Sequence, residues 1–451
     1  MLLNMNKNLS VVILAAGKGT RMKSDISKPM HKIGGLEMIS HISKTVDEVN
    51  AKEIIVVVSE ENIDDMKKCL PSSYKFALQK ERKGTGDAVK IALDSIANPT
   101  DPILITYGDM PLVEANTYST MLNKLQTEGT SIVALGFHVK DTNSRYGRFK
   151  LNDDGELTAI VEFKDANEQE RKNTLCNAGI YVVKDVSLLR KLLDKVDNKN
   201  ASGEYYLTDI IKIANEFGLK CVYNIASEKE VMGVNSRSEL SVAEKIYQDR
   251  RRQEFMANGV TLQDPDTTYF SYDTLIENDV IVEPNVVFLN GVKVGSGSII
   301  KSFSYLESCE VGNNVTIGPF ARIRPETILK SDCRIGNFCE IKKSTIGIGT
   351  KVSHLTYIGD TEIGDNTNIG AGTITCNYNG YTKFGTKIGN NSFIGSNTVM
   401  IAPVKVGNNS MTAAGSVITD NVEDGDIAIS RTQQKNIEQG MVRYRSKMEK
   451  K

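Results

Sequence analysis

The run Leu14-Ala15-Ala16-Gly17-Lys18-Gly19-Thr20-Arg21-Met22 sets two glycines, a lysine and an arginine directly behind an apolar stretch. Glycines let a backbone come close to a phosphate, exposed N–H groups donate to it, and Lys18 and Arg21 add positive charge. The run is neither a P-loop nor a complete dinucleotide fingerprint, since Met22 stands where the third glycine belongs. A tight strand-to-helix turn with surface cations is its other reading. Tyr107-Gly108-Asp109 closes a second apolar stretch with a carboxylate. There a carboxylate can hold Mg²⁺ that also bridges substrate phosphates, an ion needing few protein ligands; alone, Asp109 is equally a helix cap. Gln79, followed by Gly84-Thr85-Gly86, marks another close backbone approach. Together the three pieces point to a nucleoside triphosphate site.

A second kind of chemistry is available at His354, within Ser353-His354-Leu355-Thr356-Tyr357 and beside Asn368 and Asn377-Tyr378. Imidazole, with an unperturbed pKa of ~6.5, suits proton removal from an amine at neutral pH. A merely exposed or structural histidine is the alternative.

The elements that must position these residues differ between the two halves. Over 9–235 strand and helix alternate. Val11-Val12-Ile13-Leu14 reads as a buried parallel strand, Leu36, Ile39, Ile42, Val46 and Val49 recur at helical spacing, and 54–58 is a second buried strand. Tyr74, Phe76 and Leu78 alternate as a third strand, and Ile103-Leu104-Ile105 forms a fourth. Such alternation implies an α/β domain with a mostly parallel, Rossmann-like sheet and ligands at the carboxyl ends of its strands. One helix is expected over about 236–257, with Gly259 after its end. Its run Arg250-Arg251-Arg252 reads as a solvated face or, alternatively, a partner-binding patch.

Beyond about residue 264 the helical signals stop and a period of six begins. Val311, Ile317, Ile323, Leu329, Ile335 and Ile341 hold strict register. With aliphatics at roughly a quarter of positions, chance gives this about once in 4,000 placements. The register resumes at Ile346, Val352, Ile358, Ile363 and Ile369, and returns at Ile388, Ile394, Met400 and Val406. A parallel β-helix of triangular section follows, each hexad making one side, and 375–387 is an insertion on its binding face. His354, two residues past inward Val352, falls off the aliphatic register. The organisation expected is therefore 1–236, a helical linker 237–260 and a β-helix over 261–451. The lysine-rich tail beyond Arg443 is expected to be disordered.

Composition narrows the classes. Fifty-five Lys and Arg against 56 Asp and Glu leave a net charge of −1, which argues against a nucleic-acid coat or a polybasic membrane binder. No apolar run approaches the ~20 residues of a membrane span, and the glycine-rich turn after Leu14 makes a poor signal-peptide cleavage site. Seven scattered cysteines without a CxxC spacing indicate free thiols and a reducing cytoplasm. Four histidines and no HExxH pattern make a zinc centre improbable.

The LAAGKGTRM turn with Lys28-Pro29, the GTG strap and YGDMPL are similar to the sugar-1-phosphate nucleotidyltransferases. Tyr146-Gly147-Arg148, IVEFKDA from Ile160, GEYYLTD from Gly203 and Gly233-Val234-Asn235 narrow the match. HLTYIGD, NIGAGTITCNY, Ser396, Ala414 and Arg431 extend it. The chain thereby resembles, over about 9–431, the family of bifunctional N-acetylglucosamine-1-phosphate uridylyltransferase / glucosamine-1-phosphate N-acetyltransferases. The resemblance implies that Leu14, Ala15, Ala16, Gly17, Gln79, Gly84, Thr85 and Gly108 surround a uridine nucleotide while Lys18, Arg21 and Lys28 neutralise its phosphates. It implies Tyr107, Gly147, Glu162 and Asn177 around the N-acetylhexosamine, with Asp109 and Asn235 on Mg²⁺. At the other end it implies His354 as general base, Arg324, Lys342, Tyr357 and Asn368 on the sugar phosphate, and Ala371, Asn377, Tyr378, Ser396, Ala414 and Arg431 along acetyl-CoA. A left-handed, trimeric coil also follows from the resemblance alone, because left-handed crossovers run against the general rule. Two departures stand out. Ala178 replaces the family's usual threonine, which implies altered sugar affinity, and Ser59-Glu60-Glu61-Asn62 lacks the usual glycines. Two other readings compete: a single-activity nucleotidyltransferase whose coil only oligomerises, and a non-enzymatic scaffold of the same layout.

Overall fold

A computed structural model describes residues 8–450, which divide into two compact units, one up to Gln248 and the other from Asp249. In the first, β-branched runs make a sheet in the order Lys220–Ile225, Thr130–His138, Leu175–Val183, Ile103–Tyr107, Ser10–Leu14, Glu53–Val58 and Lys75–Leu78. The last four strands run parallel, with Leu14 beside both Val57 and Tyr107. Their carboxyl ends therefore bring the glycine turn, Gln79 and Asp109 to one edge. Leu175–Val183 is antiparallel to both neighbours. It belongs to a hairpin-built extension with Arg148–Leu151 and Leu157–Val161, so the sheet is mixed where the sugar-type motifs lie. Apolar layers cover both faces, Val12, Ile55 and Ile105 on one side and Val11, Ile13 and Val56 on the other.

In the second unit the hexads form three parallel sheets of ten, nine and eight short strands. Ile317, Ile335, Val352 and Ile369 stack on one wall and Ile323, Ile341 and Ile358 on the next, all within one buried column. Most coils repeat after 17 or 18 residues and the one carrying the insertion after 25, since stacking strands must meet at the ~4.8 Å sheet spacing while the chain rounds three corners. Corners need left-handed backbone, supplied largely by Asn, Asp and Gly (Asn314, Asp332, Gly349, Asn366). One edge instead carries Phe303, Phe320, Phe338 and Leu355 in four successive coils, the phenyl rings stacked 4.9 and 5.2 Å apart.

Two expectations need correction. The basic run on helix Arg237–Ala257 is no solvated face. Arg252 is buried, donating to Thr268 O and Asp266 O and pairing with Asp249, while Arg251 donates to Thr274 O. Guanidiniums rich in donors satisfy the carbonyls of the first coil, a use that charge counting does not separate from solvation. The tail is not disordered throughout: Gly440–Met448 is helical, though none of its residues is buried. Met, Arg and Lys favour helix even where little is buried.

Candidate functional sites

In the first unit a cavity of about 290 Å³ opens at the strand ends, lined by Leu14, Ala15, Ala16, Gly17, Lys28, Gln79, Arg82, Gly84, Thr85, Tyr107 and Asp109, among others. The glycine turn is held by side chains from other segments. Asn62 Nδ2 donates to Ala15 O at 2.8 Å, and Arg82 Nε to Ala16 O at 2.9 Å. Those two bonds fix the backbone that leads into Gly17. Gly19 takes φ 62°, and a Cβ there would lie 2.6 Å from Lys28 Cβ. Gly84, at φ 122°, packs so closely on Tyr205 that a Cβ would meet its carbonyl oxygen at 2.5 Å. The glycine-rich strap is further pinned by Gly86 N–H donating to Tyr205 O and Leu207 N–H donating to Thr85 Oγ1.

Asp109 and Asn235, 126 residues apart in sequence, converge on Lys28. Nζ donates to the Asp109 carboxylate and, at 3.0 Å, to Asn235 Oδ1. Val234 N–H donates to Asp109 O, which fixes the two segments together. Two hard oxygen donors gathered round one cationic nitrogen form a place built for positive charge, the donor set that suits Mg²⁺ shared with phosphates. Lys18 and Arg21 are exposed and lie outside the lining.

Gly147, Glu162, Asn177 and Tyr107 form an adjoining cluster. A Cβ on Gly147 would lie 3.5 Å from both Glu162 carboxylate oxygens, Asn177 N–H donates to Gly147 O, and Gly179 leaves room for the Tyr107 ring. Burial pushes the Glu162 pKa up, opposed by the Thr208 hydroxyl that donates to it. Tyr107 is held neutral by burial and by the neighbouring Glu162 and Asp109 charges. Asn177 donates to Tyr181 OH, whereas Ala178 packs with Cys176 and Ile180 in the apolar layer. Gly108 lies beneath this group, packed on Ile39 and Ala15.

In the coil His354 faces outward and is exposed. Its Nδ1 lies 2.6 Å from Asn337 Oδ1, one coil earlier. An amide oxygen only accepts, so Nδ1 carries a proton, and in the neutral ring that tautomer leaves the lone pair on Nε2. The same corner continues upward: Gly372 N–H donates to His354 O, Asn397 N–H to Ala371 O, Gly415 N–H to Ser396 O, and Arg431 closes the column on Ala414 O. On the neighbouring wall Arg324 pairs with Glu340 at 2.7 Å, and Lys383 from the insertion lowers the Lys342 pKa by facing it. Tyr357 OH and Asn377 Nδ2 both close over Gly359, where a Cβ would lie 2.5 and 2.7 Å from them. Asn377 also donates to Asp360. Asn368 pairs in register with Lys351 and Phe393, while Tyr378 sits at the base of the insertion hairpin opposite Lys383.

Arg82, Asn337 and Lys383 are not among the residues singled out from sequence, and Asn62 was noted only within a loop lacking the usual glycines. Asn337 was findable, because coil spacing places the residue 17 before His354 directly beneath it. Lys383 needed the fold of the insertion.

Residues 11–198 match the family described as MobA-like NTP transferase domain. Residues 273–308, 308–343 and 385–420 match Bacterial transferase hexapeptide (six repeats), so the coil is a left-handed parallel β-helix of hexapeptide repeats. His354 and most of the insertion lie between the matched stretches. Three relatives carry the name Bifunctional protein GlmU. That of Agrobacterium fabrum is 43% identical over 95% of this chain and 94% of its own. The Zymomonas mobilis protein is 42% identical over 99% of both chains, and the Bartonella quintana protein 44% over 94% of both. Likeness at this level along both units, over sites of the geometry just described, places the chain in the bifunctional GlmU family.

Proposed function

We propose that the chain makes UDP-N-acetylglucosamine in two steps: acetyl-CoA-dependent N-acetylation of glucosamine-1-phosphate, then Mg²⁺-dependent uridylyl transfer from UTP. The observation that carries the reading is that each unit builds its own polar constellation, one round Lys28, Asp109 and Asn235, the other round His354. Residues 1–236 are assigned the uridylyl transfer and 261–451 the acetylation, with 237–260 as linker.

For acetylation, His354 Nε2 takes a proton from the 2-amino group as the nitrogen attacks the thioester carbonyl. The C–S bond then breaks and CoA leaves as the thiol. Asn337 holds the ring in the tautomer that can accept. Arg324, Lys342 and Lys383 gather positive charge for the sugar phosphate, with Tyr357 and Asn368 beside it. Ala371, Asn377, Tyr378, Ser396, Ala414 and Arg431 line the acetyl-CoA path.

For uridylyl transfer, a sugar-phosphate oxygen attacks the α-phosphorus of UTP in line and diphosphate leaves, so positioning and charge stabilisation supply the rate. Asp109 and Asn235 would hold Mg²⁺, which supplies charge neutralisation at the phosphates. Lys28 then moves its ammonium to them, joined by Lys18 and Arg21. Glu162, Asn177, Tyr107 and Gly147 orient the sugar. A cytoplasmic homotrimer acting on these small molecules, with no nucleic-acid or membrane partner, completes the proposal; among the described residues no helix is long and apolar enough to cross a membrane.

Supplying glucosamine-1-phosphate, acetyl-CoA, UTP and Mg²⁺ together and identifying the sugar nucleotide tests it. UDP-N-acetylglucosamine is expected. Absence of CoA release would reduce the protein to a nucleotidyltransferase with an inert coil.

A further inference from the structure

Gln79 lines the cavity assigned to the nucleotide, at the carboxyl end of Lys75–Leu78. Its side-chain amide makes two hydrogen bonds. Nε2 donates to Asp87 Oδ2 at 2.9 Å and to Gly84 O at 3.3 Å. A backbone carbonyl and an ionised carboxylate can only accept, so the amide orientation is set by chemistry: both N–H groups point at these two partners. Among the described residues no donor reaches Oε1. Gln79 therefore offers the cavity an acceptor and no donor. Asp87 makes the shorter of the two bonds from the first turn of helix Thr85–Leu93, where the helix dipole favours a carboxylate.

We propose that Asp87 is a specificity-determining positioning residue: by holding the Gln79 amide it turns Oε1 toward the base, where it accepts the N3–H of uracil and repels the N3 lone pair of cytosine. The inference rests on the reading of this cavity as the UTP site and deepens it, moving base preference one residue out from the side chain that touches the base. Without Asp87, only the longer bond to Gly84 O orients the amide. Gln79 can then turn over and donate Nε2–H to N3 of cytosine. A buried site built for a donor discriminates against a ligand lacking one because its own polar group is left unpaired.

The test is kcat/KM for UTP and for CTP, with N-acetylglucosamine-1-phosphate and Mg²⁺, in full-length wild type, Asp87→Ala and Asp87→Asn. Asp87→Ala should lower the UTP:CTP ratio about tenfold, the factor that one lost hydrogen bond of ~1.4 kcal/mol produces. CTP should gain as UTP loses. Asp87→Asn, whose amide oxygen still accepts from Gln79, should keep most of the preference. An unchanged ratio in Asp87→Ala protein that melts like wild type overturns the proposal, since it would leave Asp87 only its helix-dipole role. Equal losses in the alanine and asparagine variants also overturn it, tracing the effect to charge. If the alanine variant does not fold, Asp87→Leu, similar in size and unable to accept, carries the same prediction. Wild type that uses UTP and CTP equally refutes the role of Asp87 alone; wild type that uses neither refutes the nucleotide reading with it.

Discussion

Replacing Asn337 by alanine should slow acetylation without touching uridylyl transfer. While the His354 ring is neutral, its Nδ1–H donates to Asn337 Oδ1 at 2.6 Å, a bond worth ~1 kcal/mol net. When Nε2 takes the amine proton the ring becomes a cation, and the same bond becomes charge-assisted, worth ~1.5–3 kcal/mol. The difference, ~0.5–2 kcal/mol, is gained only on the way to the transition state and so enters kcat, about 2- to 30-fold at 1.36 kcal/mol per decade. Backbone pairing of Asn337 with His354 and the Leu355 N–H bond to Asn337 O do not involve the side chain, so the coil should stay intact. Thiol release from acetyl-CoA at saturating glucosamine-1-phosphate gives kcat, and diphosphate release in the same preparation is the control. His354→Ala should cost about 10²–10⁴, and adding Asn337→Ala to it should cost nothing more, because the two act as a unit. A kcat within twofold of wild type in Asn337→Ala, or a further loss in the double variant, would refute the reasoning.

Gly84→Ala forces a methyl against Tyr205 O at φ 122°. It should raise KM for UTP at least about tenfold and lower the melting temperature of the first unit while CoA release continues, both readable on one sample. Arg148 is buried and donates to the carbonyls of Tyr146, Thr142, Ser144 and Arg171. Arg148→Met should therefore destabilise by about 3 kcal/mol, read from the urea midpoint, since those carbonyls lose their donor. Glu162 has a pKa raised chiefly by burial, so the folded state holds the proton more tightly than the unfolded one. Its contribution to stability is present below the ordinary glutamate value of 4.5 and is lost as pH rises past it toward the raised folded value. Glu162→Gln should remove that decline, its urea midpoint falling less than that of wild type between about pH 4 and about pH 7; equal declines would contradict this.

What the sequence determined by itself is whatever depends on short-range pattern. The six-residue register from Val311 to Ile341 forces one wall per hexad, because a stacked coil has no other way to bury a periodic aliphatic. Leu14-Ala15-Ala16-Gly17 and Tyr107-Gly108-Asp109 end neighbouring parallel strands, so apolar runs closed by glycine were enough to place them at one edge. The tertiary structure alone decided which distant groups meet. Lys28 joins Asp109 and Asn235 across 81 and 207 residues, Asn62 and Arg82 tie back the glycine turn, and Lys383 reaches Lys342 only because the insertion folds into a hairpin. It also assigned Arg251 and Arg252 to the carbonyls of the first coil. Hydrogen bonds between segments carry no periodicity, and a polar side chain looks the same in the sequence whether its partner is water or a carbonyl that folding brings to it.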